Sequence, residues 1–193
     1  PMSVVPFAAS LEWYAAWWQA RRKGLPDAES IAAANIATGI SGKDYARRRI
    51  MANGNEIILS MAIEGGAARL KRSSFIPSAQ LSDHGNWRHV HLGTLEATYG
   101  RSPFYQHLIP VIRDVYNSQE NTLRGFNYEI HHAICSFLNV ENIKNIQDTI
   151  LYEGSHATKE RGEEIANGLD RKLSIIDTLM RFGTESILAL DIL

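Results

Sequence analysis

The sequence predicts an α/β or α+β protein in which an N-terminal mixed β-sheet containing a β-hairpin packs against a helix-rich C-terminal half. Three observations carry that expectation. An Asn53-Gly54 pair lies between two β-prone runs, the strongest short-range hairpin signal a sequence offers. Apolar residues from Asn86 onward recur at helical spacing. The strand-like segments precede most of the helix-like ones, which favours separate strand and helix layers.

Taken in order, Met2 to Phe7 is short, β-branched and closed by Pro6, and reads as a first strand. Ser10 is a candidate N-cap for a helix in which Leu11, Tyr14, Trp17 and Trp18 form an aromatic stripe. That helix should stop near Gly24-Leu25-Pro26. Ile31 to Ile36 is alanine-rich and is assigned to a strand, although periodicity alone does not separate strand from helix in so short a run. Arg49 to Met51 and Glu56 to Ile63 form the hairpin arms, and Ala68 to Ile76 a further strand after Gly65-Gly66.

Helices follow. Asn86 can cap one that runs to Gly100, Ser102-Pro103 marks the start of another over Phe104 to Tyr116, and Pro110 should kink or break it. Leu123 to Leu138 is a third, and Leu173 to Met180 and Glu185 to Ile192 are two more, separated by Gly183. Glu153 to Gly168 is polar and weakly periodic and reads as a loop.

Residues 1–193 are the size of one domain, with 45% hydrophobic and 21% charged residues, ordinary globular values. Twenty lysines and arginines against 21 acidic residues leave a net charge of -1, so no global field draws the chain to nucleic acid or a lipid surface. The single cysteine, Cys135, excludes an internal disulfide and points to the cytoplasm. The opening residues lack a signal-peptide pattern, and no apolar run is long enough to span a membrane.

Several residues invite a chemical reading. Asp83, His84, His89 and His91 cluster in sequence, and a carboxylate beside an imidazole suits acid–base work near neutral pH. His89 and His91 would leave opposite sides of a helix, so no metal site is expected. The plain alternative is a hydrogen-bonded turn at Asp83 to Asn86 and a packed His91. Arg47, Arg48 and Arg49, with Arg69, Lys71, Arg72 and Arg88, could converge on an anion, since arginine grips phosphate bidentately; the plain alternative is a solvated strand face. The tryptophan-rich first helix reads as core, and Cys135 as a buried, inert thiol with His131-His132 nearby. No phosphate loop, dinucleotide fingerprint or nucleophile elbow is present.

The block from Ser82 to His91, followed by Leu95, Tyr99 and Pro103-Phe104-Tyr105, resembles the most distinctive block of the WbqC-like family. Tyr45-Ala46-Arg47-Arg48 before the Asn53-Gly54 turn is similar to the family's tyrosine-x-x-arginine segment, and Leu173 to Leu179 to its closing pattern. Two departures stand out: Ile36 to Gly42 replaces an acidic or histidine-containing segment, and Arg47 replaces an asparagine. The resemblance implies a place in surface-polysaccharide or amino-sugar metabolism. The family is associated with a proposed transfer step on amino sugars, and the arginine cluster suits an anionic, nucleotide-linked sugar; a transferase-like protein without a cofactor is the expectation. On this reading His84 or His89 is the acid or base, Asp83 orients it, and Arg48, Arg88, Tyr45, Trp87 and His91 line the substrate site. The alternative is a non-catalytic binding or assembly protein of the same fold, with a homodimer as one form.

Overall fold

In the computed structural model, residues 3–140 and 156–193 are described. Ser10 caps helix α1 (Leu11–Arg22) as expected, its hydroxyl accepting the Trp13 N–H. Burial goes beyond the expected stripe, because Leu11, Trp13, Tyr14, Trp17 and Trp18 are all enclosed. Each indole N–H finds an acceptor: Trp13 on Asn35 at 2.8 Å, Trp17 on Asp27 at 3.0 Å and Trp18 on Asp191 at 2.5 Å. Buried tryptophans need such partners, and here they tie α1 to its neighbours.

Three strand assignments are corrected. Ser3 to Pro6 joins no ladder; the Val4 and Val5 carbonyls accept side-chain N–H groups of Asn35 and Asn127 instead. Ile31 to Ile36 lies in helix α2 (Asp27–Ala37), where the alanine run favours helix and Asp27 and Glu29 suit the first turn. Ala68 to Ile76 forms two 3₁₀ segments, Ala67–Lys71 and Ser73–Ser78, since Gly66 enters at φ 91° and Pro77 cannot donate to a ladder.

The fold is α+β. Among the described residues its sheet is the hairpin of β1 (Arg47–Ala52) and β2 (Asn55–Ser60), antiparallel, in place of the larger mixed sheet expected. Asn53 at φ 51° and Gly54 at φ 79° make the tight turn, and Ile50 opposes Ile57. The later helices are α3 (Trp87–Tyr99), α4 (Tyr105–Tyr116), α5 (Leu123–Phe137), α6 (His156–Asn167), α7 (Ile175–Phe182) and α8 (Ser186–Ile192).

Asn86 precedes α3 in a left-handed conformation and gives no side-chain cap. Helix α4 starts past Ser102-Pro103 and runs uninterrupted through Pro110, which lies on the exposed side. The loop expected from Glu153 to Gly168 is helix α6 over most of its length, and its first residues lie outside those described.

Both ends of the chain meet at the hairpin. Leu11 N–H donates to Leu173 O at 3.1 Å, Ile175 N–H to Ala9 O and Ser174 N–H to Arg49 O, each at 2.9 Å. Asp177, in the closing block, accepts the Tyr99 hydroxyl at 2.9 Å and pairs with Arg181. Burial pushes its carboxyl up, and Tyr99 and Arg181 act against that rise. No described helix is long and apolar enough to cross a membrane.

Candidate functional site

The Asp83 to His91 block divides by direction. Asp83, His84 and His89 are exposed, whereas Trp87 and His91 are buried. Trp87 donates its indole N–H to Ser82 O at 2.8 Å. His91 has Tyr116 hydroxyl 3.1 Å from Nδ1 and Ser60 O 3.1 Å from Nε2. A carbonyl only accepts, so Nε2 carries the proton and Nδ1 accepts from Tyr116. Burial holds the His91 pKa down to about 4, with the Ser60 bond acting against it. The ring is therefore neutral at pH 7 and stacks on Phe7.

Arg88 is a brace. Its guanidinium donates to Tyr116 O at 3.1 Å and Glu120 O at 2.6 Å. It lies 4.8 Å from the Trp87 ring and 4.8 Å from the Phe126 ring. Tyr45 is likewise a core residue, its hydroxyl 3.5 Å from Asn35 Nδ2. Burial, and then Asp44, push that phenol up. Arg69 covers Phe75 at 4.0 Å. None of these side chains lines the cleft that holds Arg48.

That cleft, about 450 Å³, opens along β1 between the Ser10-to-Glu12 corner and Lys172. Lys43, Arg47, Arg48, Arg49 and Lys172 face it, against Glu12 and Asp44. Arg48 is the buried member, 8% exposed. Its Nε donates to Phe7 O at 3.2 Å and Nη2 to Asp44 O at 3.5 Å, and the Asp44 carboxylate is 3.9 Å away. Two carbonyls and a distant carboxylate compensate a buried charge incompletely. Burial pushes Arg48 below its ordinary pKa, and Asp44 pulls it back.

Arg49 is paired with Glu56 at 2.8 Å. Among the described residues, the side chains of Lys43, Arg47 and Lys172 are exposed and have no hydrogen-bond or ion-pair partner. His84 lines a separate groove with Ser82 and the segment Met61 to Ala67, which shares no lining residue with the cleft. Among the described residues no grouping of His, Cys, Asp and Glu is placed to hold a metal ion.

A model of the WbqC-like protein family matches residues 40–172, most of the chain. The chain belongs to that family. No curated protein and no solved structure matches it. The WbqC-like segment contributes Ile40, Lys43, Asp44, Arg47, Arg48, Arg49, Ile58 and Lys172 to the cleft, while Ser10, Glu12 and Thr38 come from outside it. Sequence reasoning found Arg48 but missed Lys43, Lys172 and Glu12. Their convergence depends on the pairing of Leu11 and Glu12 with residues 171–173, for which the local sequence carries no signal.

Proposed function

We propose that the cleft beside β1 binds an anionic, nucleotide-linked amino sugar and that the protein is a transferase-like member of surface-polysaccharide metabolism. The observation that carries the anionic part is the unpartnered trio Lys43, Arg47 and Lys172 around the under-compensated Arg48. Convergent cations at a concave surface raise the local concentration of an anion and hold it in register. Family membership supports the sugar-metabolic part.

The acid–base role expected of His84 or His89 has no place in this cleft. Glu12 faces it from the first turn of α1 and, among the described residues, has no side-chain partner. In this reading Glu12 takes the proton of an acceptor amine or hydroxyl, while the cations hold the diphosphate.

The test is calorimetric titration with a panel of nucleoside-diphosphate amino sugars, followed by a transfer assay with amine and hydroxyl acceptors. Binding should be lost in the Arg47→Ala/Lys172→Ala double variant and kept in His84→Ala. The opposite pattern would move the site to the start of α3. Tight binding with no turnover for any acceptor would favour the binding or assembly alternative.

A further inference from the structure

A second group of reactive side chains lies away from the cleft. His131 and Cys135 stand one turn apart on α5, at i and i+4, so both leave the same face. Cys135 Sγ lies 3.8 Å from Nδ1 and 3.7 Å from Nε2 of His131. Tyr14 hydroxyl is 3.1 Å from the same Nδ1, and Asp27 Oδ1 is 3.8 Å from Nε2. Asp27 is itself fixed by the Trp17 indole N–H at 3.0 Å. Burial raises its carboxyl, but the bonds from His131 and Trp17 outweigh that and hold it below the usual value. The indoles of Trp13 and Trp17 stand perpendicular to the imidazole, 5.6 and 4.9 Å away between centroids.

These groups border a cavity of about 250 Å³, whose lining includes Arg21, Asp27, His131, His132 and Cys135. A nucleophile within reach of a base, with the base held by a third group, is the arrangement that activates a thiol. With Nδ1–H directed at the Tyr14 oxygen, Nε2 is left as the acceptor for the thiol proton, 3.7 Å away. Arg21 gives one nitrogen to Leu25 O at 2.7 Å and brings a positive charge to the cavity wall. Tyr14, Trp17, Arg21 and Asp27 all precede the family-matched segment, so the constellation is assembled by α1 and α2 on a helix of the family core.

We propose that Cys135 is a nucleophile toward a small electrophile that bears a carboxylate. The thiol proton moves to Nε2 of His131, and the Asp27 carboxylate, 3.8 Å from that nitrogen, stabilises the resulting imidazolium. Sulfur forms a bond to the electrophilic carbon as the leaving group departs with its electron pair, and Arg21 holds the carboxylate. No oxidant or reductant enters the step.

The chain has one cysteine, so mass spectrometry of the intact protein reads this thiol alone. The experiment measures alkylation by iodoacetate and by iodoacetamide from pH 5.5 to 9, in the folded protein and in urea. Asp27, Tyr14, Arg21, Tyr128 and His132 are the titratable and charged groups that face the pair. At pH 6.5 the folded protein should react with iodoacetate at least tenfold faster than the unfolded chain. His131→Asn should abolish that advantage and Asp27→Asn reduce it. Arg21→Gln should remove the preference for iodoacetate over iodoacetamide. A folded thiol slower than the unfolded one at every pH overturns the proposal, and needs no variant to show it. Equal folded-state preference for the two reagents overturns the carboxylate-bearing class.

Discussion

At the start of α3 the guanidinium of Arg88 has backbone carbonyls on two nitrogens and two aromatic rings at 4.8 Å, whereas at the start of β1 that of Arg48 reaches two carbonyls at longer range and a carboxylate 3.9 Å away. Both lie in the WbqC-like segment, and both follow motifs that sequence alone reads as anion grips. The donors of Arg88 are spent on Tyr116 and Glu120, far along the chain. Those of Arg48 are placed on a cleft with three unpartnered cations. What an arginine does is settled by the carbonyls the fold brings to it.

The largest effect should come from breaking the brace. Arg88→Ala removes two charge-assisted bonds and leaves the Tyr116 and Glu120 carbonyls to find other partners, a loss of about 3 kcal/mol. At this chain length that lowers Tm by roughly 6–12 °C. Thermal unfolding measures it. If Tm is unchanged while ligand affinity falls, the roles of the two arginines are the reverse of those described.

His91 joins the two regions, since it stacks on Phe7, whose carbonyl holds Arg48, and accepts from Tyr116, whose carbonyl holds Arg88. Its folded pKa of about 4 lies below the ordinary 6.5. The unfolded state therefore binds the proton first as pH falls. The contribution of His91 is complete above pH 6.5 and is lost progressively toward pH 4, by up to about 3 kcal/mol. Urea denaturation of the parent and of His91→Gln at pH 7 and pH 4.5 should show a steeper loss in the parent. Parallel curves would mean that His91 charges without penalty.

Smaller still are the cleft cations. Lys43→Ala, Arg47→Ala and Lys172→Ala should each move stability by less than about 0.5 kcal/mol, as exposed substitutions do. Each should weaken a bound nucleotide sugar by about fivefold and flatten the salt dependence of binding. Titration at two ionic strengths checks this. Smallest is the cross-strand pair: Glu56→Gln frees Arg49 at a stability change of about 0.5 kcal/mol or less, read by denaturation, and should tighten anion binding slightly. A weaker complex would mean that Arg49 must be paired to hold its place.

The hairpin and the terminal helices were legible because their signals are local: Asn53-Gly54 for the turn, Ser10 for a cap, period 3.6 in α5 and α7. Ile31 to Ile36 misled because an apolar run with alanine fits either state, and packing of Ile31 and Ala34 in the core decides it. The family resemblance was legible in side chains that turn out to face in two directions, Trp87 and His91 inward and His84 and His89 outward. For the thiol, the i, i+4 spacing of His131 and Cys135 was in the sequence. The carboxylate that completes the group, Asp27, stands more than a hundred residues earlier and was not.

The pairing of the Ala9-to-Leu11 corner with Leu173 to Ile175 has a consequence for how the protein is made. Helix α1 carries the largest buried rings, and its Trp18 and Arg22 both close onto Asp191. During translation Trp18 leaves the ribosome 173 residues ahead of its partner Asp191. Until that stretch is made, the indole-rich face of α1 lacks this partner, the condition in which an incomplete chain is most exposed to misassociation.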